Sequence, residues 1–285
     1  MTKKVPLTEI SYCVDELRRH DHGRYLTATA AAADKRAALF ALYAFNLELA
    51  KATDVTSEPM LGEIRLEWWR EAIVELFEGT PRQHMVLLAL ADAQARKRLP
   101  RSELEALIEA RIVDLQAECY PDMGALVHHA EESAGRLAML ALETLGRTNA
   151  DTRDAAWNVG TAWALVGLMR AVPYHAERRR LYLPIDRLEA HDLSPDDVFS
   201  RHVGLALGGV VAEVLALARQ RIEAARLRCP RPPRWALPVL LQAPLAEAYA
   251  RRLAKQGNDP FRGEVGLGEF WPPLLIAWCH LRGRF

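Results

Sequence analysis

A chain of 285 residues with 50% hydrophobic, 26% charged and 7% aromatic side chains predicts a soluble globular protein large enough to bury its core without disulfide or metal staples. Lys and Arg number 37 and Asp and Glu 37, a formal charge of zero, which excludes the electrostatic footprint of a nucleic-acid binder. Cys13, Cys119, Cys229 and Cys279 stand apart with no CxxC pair, so neither a zinc ribbon nor a disulfide framework is indicated and a reducing compartment fits.

Apolar residues recur at helical spacing and alternating Val, Ile and Thr runs are missing, so the chain reads as all-α. Thr8 can cap a helix to about residue 20, and Asp34 one that carries Leu39, Leu42, Tyr43, Asn46 and Leu49 to about residue 53. Ser57, Glu58 and Pro59 open the next, with Met60, Ile64, Trp68, Trp69, Ile73 and Phe77 as a wide apolar stripe ending near Gly79. The capping box from Ser102 to Glu105 starts a helix that stops before Pro121. Helices over residues 122–145, ended by Gly146, and 151–171 follow.

Pro173 and Pro184 bracket a charged segment, Ser194 to Asp197 opens a short helix, and a long one covers about residues 203–227. Residues 226–234, rich in Pro and Arg, read as a linker. No repeat appears, and nowhere do core-forming helices stop long enough to split the chain, so a single domain over residues 1–285 is expected. The N-terminus has two lysines but no apolar stretch behind them, so it does not read as a secretory signal. The longest uncharged run, residues 155–169, is shorter than the roughly 20 apolar residues of a spanning helix. Residues 270–278, FWPPLLIAW, either lie against a bilayer as a peripheral contact or pack as a final helix.

GxSxG, Walker A, HExxH and GxGxxG motifs are absent. His128 and His129, and His20 and His22, lack the i, i+4 spacing of a metal pair and read as surface or capping residues. Other segments carry more. Arg36 through Asn46 and on to Asp54, Arg65-Leu66-Glu67-Trp68-Trp69-Arg70, and Arg170 to His175 leading into Arg178 to Pro184 resemble the squalene/phytoene synthase family in order and spacing over about residues 12–234. The resemblance implies a helical barrel around a central apolar cavity, in which that family joins two prenyl diphosphates. Mg²⁺ held by two Asp-x-x-x-Asp motifs stabilises the leaving diphosphate there, i and i+4 carboxylates lying on one helix face.

Placed residue by residue, the first motif falls on Ala50 and Asp54 and the second on Ala171 and His175. Alanine offers no ligand and imidazole nitrogen is a poor one for Mg²⁺, so no cofactor is expected and no catalytic residue is assigned. Arg36, Lys51, Asp114, Arg170, Arg178 and Tyr182 are the candidates for contact with an anion or substrate. Where the family has a flap with Ser-Lys-x-Phe-Tyr and Leu-Leu-Pro, this chain has Gly23-Arg24-Tyr25-Leu26 and Ala31-Ala32-Ala33.

Phe45-Asn46-Leu47-Glu48-Leu49-Ala50 and Arg170-Ala171-Val172-Pro173-Tyr174-His175 further resemble the branch of that family that serves respiratory complex I assembly. This implies a non-enzymatic role with complex I subunits or assembly intermediates as partners, in a bacterial cytoplasm, at or near the inner membrane. One alternative is a Mg²⁺-dependent prenyltransferase in which Asp54, Glu48, Glu58 or Asp114 replaces the missing ligands. The other is a protein that binds an isoprenoid, quinone or other lipid without turning it over.

Overall fold

The computed structural model describes residues 7–54, 59–97, 99–116, 119–146 and 148–285. In chain order the helices are α1 (Leu7–His20), α2 (His22–Thr29), α3 (Ala33–Asp54), α4 (Pro59–Phe77), α5 (Met85–Lys97), α6 (Arg101–Gln116), α7 (Met123–Ala130) and α8 (Arg136–Leu145). There follow α9 (Ala150–Arg170), α10 (Val172–Ala176), α11 (Ile185–Ala190), α12 (Pro195–Phe199), α13 (Ala206–Arg228), α14 (Leu237–Leu240), α15 (Gln242–Lys255) and α16 (Trp271–Arg282). Among the described residues there is no strand, only an isolated bridge between Tyr120 and Pro184.

Two long helices organise the packing. α3 meets α1, α4, α5, α6 and α8, while α9 meets α7, α8, α13 and α15. α3 is apolar almost all round, with Leu39, Leu42, Tyr43, Phe45 and Leu49 fully buried, as a helix enclosed by others must be. Tyr43 keeps its hydroxyl satisfied by accepting from Gln242 Nε2 of α15 at 3.2 Å, so a buried polar pair ties the two halves together.

Local signals account for many helix boundaries. Asp122 caps α7 by accepting from Ala125 N at 2.8 Å, and Ser194 and Asp197 form the capping box of α12, with Pro195 in its first turn. Asn149 and Thr152 cap α9 in the same reciprocal way, so the helix begins at Ala150, one residue before Asp151. Ser102 does not cap α6: the helix already begins at Arg101, where Glu103 N bonds the Pro100 carbonyl. The cap expected at Ser57 and Glu58 lies outside the described residues.

Three further differences from the sequence reading have physical causes. The stretch expected as one helix from Asp122 to Leu145 is broken by a π-helical turn, Glu131–Gly135. The apolar stripe of α4 divides: Leu66, Trp69 and Ile73 are buried, whereas Met60, Ile64 and Trp68 face outward. The Pro- and Arg-rich residues 226–234 are not a spacer, since α13 runs to Arg228 and Cys229 and Pro232 are buried.

The π turn sits against α9 at a glycine. A Cβ at Gly160 would lie 2.3 Å from the Ala134 carbonyl oxygen and 2.7 Å from the Ala138 Cβ. Gly160→Ala gains helix propensity of about 1 kcal/mol but forces two backbones apart, at about 1–3 kcal/mol. Urea denaturation should therefore read a net loss of up to roughly 2 kcal/mol; a stabilised variant would refute the close approach.

Candidate functional site

Ala171, with φ −89° and ψ 2°, is the corner between α9 and α10, and Pro173 lies in the first turn of α10, where its missing N–H costs nothing. This corner places Ala171 and His175 at a cleft of about 220 Å³. Arg24 of α2, Arg111 of α6, His129 at the end of α7, Ser133 of the π turn and Trp163 of α9 complete its wall. Ala164, Gly167 and Ala171 follow at i, i+3 and i+7 along one face, and their small size leaves the space open. Ser133 donates to the His129 carbonyl at 2.6 Å, so its hydroxyl is engaged within its own turn.

Beside the cleft lies a buried polar cluster. The Asp114 side chain is 2% exposed and its Oδ2 lies 3.6 Å from Arg111 Nη1. Its Oδ1 accepts from the Tyr120 hydroxyl at 3.1 Å, its Oδ2 is buried without a hydrogen-bond partner, and Tyr182 lies near enough to feel its charge. Burial, reinforced by the Asp114 charge, raises the pKa of both tyrosines, which stay neutral donors. The His175 ring stands 4.5 Å from that of Tyr182, and His129 lies 5.2 Å from Tyr120 and 5.8 Å from Tyr182. His129 is thus a core residue, not the surface or capping residue expected. Burial lowers its pKa and pushes His175 down to about 4, with Arg180, Arg178 and Arg111 adding to the shift and Asp114 opposing it.

The arginines around this corner have few counter-charges. Arg24 pairs with Asp21 at 2.7 Å, but its Nε is buried without a hydrogen-bond partner, as are Arg170 Nε, Arg180 Nη1 and His175 Nδ1. The Arg170 guanidinium lies 3.4 Å from the Tyr249 ring centre. Arg178 covers Tyr174 at 3.6 Å and donates to its carbonyl at 3.1 Å. Of the six anion candidates, Asp114, Arg170, Arg178 and Tyr182 gather at this corner. Lys51 does not: its ammonium is held by Glu16 and by Glu48, the latter at 2.9 Å, in a separate cleft with Arg65, Trp68 and Trp69. Arg36 instead ties the start of α3 to the Ala31 carbonyl at 2.7 Å.

The residues present do not fit the Mg²⁺ cluster that the fold family uses. Ala50 and Ala171 carry no oxygen ligand, and the His175 nitrogen left without a partner is surrounded by arginine charge that repels a cation. Glu48 is committed to Lys51 and Asp114 is enclosed by Tyr120 and Arg111, so neither stands in for a missing ligand. The Asp54 side chain and Glu58 lie outside the described residues. Among those described, no three His, Cys, Asp or Glu side chains come together to hold a metal ion.

Arg24, Arg111 and Trp163 wall the cleft without having been singled out as contacts. Arg24 carried a signal, standing in the segment where the flap pattern is lost, and Arg111 stands three residues before Asp114 on one helix face.

The chain is similar to several known proteins. "NADH dehydrogenase (ubiquinone) complex I, assembly factor 6" of Bos taurus is 31% identical over 274 residues, covering 96% of this chain and 82% of that protein. "Phytoene synthase 1, chloroplastic" of Arabidopsis thaliana is 27% identical over 185 residues, covering 63% of this chain and 44% of that one. A crystal structure of a dehydrosqualene synthase with ligand superimposes with a TM-score of 0.84 at 15% identity, covering 96% of each chain, which establishes the isoprenoid-synthase fold. The profile of the family described as squalene/phytoene synthase matches residues 17–271, and the chain belongs to that family.

Proposed function

We propose that this protein is an assembly factor for respiratory complex I, built on a squalene/phytoene synthase fold that no longer performs prenyl transfer. The observation that carries the reading is the inverted electrostatics of the second Asp-motif corner. Ala171 and a His175 kept neutral by burial stand among Arg111, Arg178 and Arg180, with Asp114 as the buried carboxylate nearby, where Mg²⁺ chemistry requires several oxygen ligands and negative charge. The similarity to assembly factor 6 over 96% of the chain supports the role; fold alone does not supply it. The partners are complex I subunits or assembly intermediates, and the place of work is a bacterial cytoplasm beside the inner membrane. No helix of the described residues is long and apolar enough to cross a membrane.

Deletion of the gene should lower NADH:quinone oxidoreductase activity and deplete the mature complex on native gels, with restoration by the wild-type gene. Purified protein given geranylgeranyl diphosphate and Mg²⁺ should release no diphosphate above background. Normal complex I in the deletion strain overturns the assembly role, and diphosphate release at enzymatic rates overturns the loss of catalysis.

A second reading concerns the cleft itself. Arg24 Nε and His175 Nδ1 are buried there without hydrogen-bond partners, and buried polar atoms of that kind are normally satisfied. They favour an isoprenoid or other lipid with a polar head, bound and not converted. Native mass spectrometry of the freshly isolated protein should find such a molecule, and an unliganded mass with no extractable lipid removes this reading.

A further inference from the structure

α16 is a well-delimited helix with an apolar stripe facing away from the protein. Pro272 and Pro273 occupy its first turn, where proline fits, and Gly283 in the left-handed conformation ends it, with Arg284 N bonded to the Cys279 carbonyl at 3.1 Å. Ile276 and Pro272 face inward, and Ile276 packs with Leu237, Leu241 and Leu245. The opposite face carries Trp271, Leu274, Trp278 and Leu281 at i, i+3, i+7 and i+10, exposed by 56%, 63%, 56% and 71%. Scattered exposed leucines are ordinary, but four large apolar side chains in one stripe mark a contact surface.

Charge identifies the occupant. Residues 270–285 contain Arg282, Arg284 and His280 and no Asp or Glu. Arg282 covers the Trp278 ring at 4.2 Å, on one edge of the stripe. On the other flank, His280 enters a groove of about 360 Å³ that also takes in Lys35, Arg234 and Trp235, and its Nδ1 is buried without a hydrogen-bond partner. Tryptophans and leucines on one face with cations on its margins suit the boundary between lipid headgroups and acyl chains, where anionic phosphates meet the basic edge. The helix is roughly 18 Å long, too short to cross a bilayer of about 30 Å, so it lies in the surface.

We propose that α16 is a lipid-docking helix that seats the protein on an anionic bilayer through Trp271, Leu274, Trp278 and Leu281, with Arg282, Arg284 and the Lys35–Arg234–His280 groove meeting lipid phosphates. This goes beyond the assembly role and stands on α16 and the groove beside it, so its failure leaves that role untouched. Co-sedimentation of the full chain with vesicles tests it, comparing phosphatidylcholine alone with phosphatidylcholine mixed with phosphatidylglycerol. The protein should bind the mixed vesicles, release from them as salt screens the charges, and shift its tryptophan emission to the blue.

The double variant Trp278→Ser/Leu281→Ser should bind at least roughly tenfold more weakly, since each large apolar side chain withdrawn from water contributes about that factor. Its circular dichroism and melting temperature should match the wild type, because both side chains are exposed. Arg282→Glu/Arg284→Glu should abolish the preference for the anionic vesicles. Absence of binding to either vesicle overturns the proposal, as does equal binding by the double variant. A wild type that is dimeric where the double variant is monomeric also overturns it, assigning the stripe to a second copy of the chain.

Discussion

Asp114→Ala is expected to destabilise the fold by roughly 3–5 kcal/mol, because it removes one partner from a buried charge pair and leaves the other exposed to its own desolvation cost. The carboxylate accepts from Tyr120 and faces Arg111, whose side chain is only 17% exposed. It also holds the chain where it returns: Ile185 N bonds the Tyr120 carbonyl at 2.9 Å, so the segment after α6 and the segment carrying Tyr182 meet at this point. Asp114→Asn keeps an acceptor for Tyr120 and should cost about half as much, the charge alone being lost. Asp114→Leu/Arg111→Met should recover much of the loss, as paired apolar replacements of buried ion pairs do. Urea midpoints of the four proteins decide it. A single variant within about 1 kcal/mol of wild type would mean the pair is solvated in solution.

The same cluster marks the limit of what the sequence discloses. Asp114, Arg170, Arg178 and Tyr182 are individually visible as members of motifs, but their convergence needs α6, α9 and the segment after α10 to meet. His129 does not stand out in the sequence, where its pairing with His128 invites only a test for metal spacing, whereas its real neighbours, Tyr120 and Tyr182, are brought to it by tertiary packing. Leu126, His129, Ala130 and Ser133 are all buried, an i, i+3, i+4, i+7 pattern that does place the ring inward. Long helices with polar caps were legible. α2 was not, being eight residues long with Gly23 near its start. Nor was the π turn, since one extra residue in a helical turn has no composition of its own.

A cleft stands at the corner where the second motif falls, lined by Ala171 and His175. In a diphosphate-ionising enzyme, carboxylates gather metal ions and the ions gather phosphate. Here Ala50 and Ala171 interrupt the first link. Arg178 and Arg180 both act on His175 at this corner. Among the described residues neither forms an ion pair with an Asp or Glu side chain, whereas Lys51 and Arg24 have theirs. The corner as it stands sets Arg111, Arg178 and Arg180 against the buried Asp114 carboxylate around His175.

That arrangement predicts a pH dependence. His175 has an ordinary pKa of 6.5 that burial lowers to about 4 in the folded protein, so between these values the unfolded chain binds a proton that the folded one refuses. Stability therefore rises with pH through this window and is lost on acidification, by roughly 2 kcal/mol from about pH 7 to about pH 5 from this residue alone. His129, also lowered by burial, adds in the same direction. His175→Gln keeps a polar side chain that does not titrate, and its stability should fall less steeply over the same range. Urea unfolding at several pH values measures both slopes, and the imidazole resonances of the folded wild type should show His175 still neutral near pH 5. Parallel slopes, or a His175 titrating near 6.5, would mean that water reaches the ring and that burial does not hold it neutral.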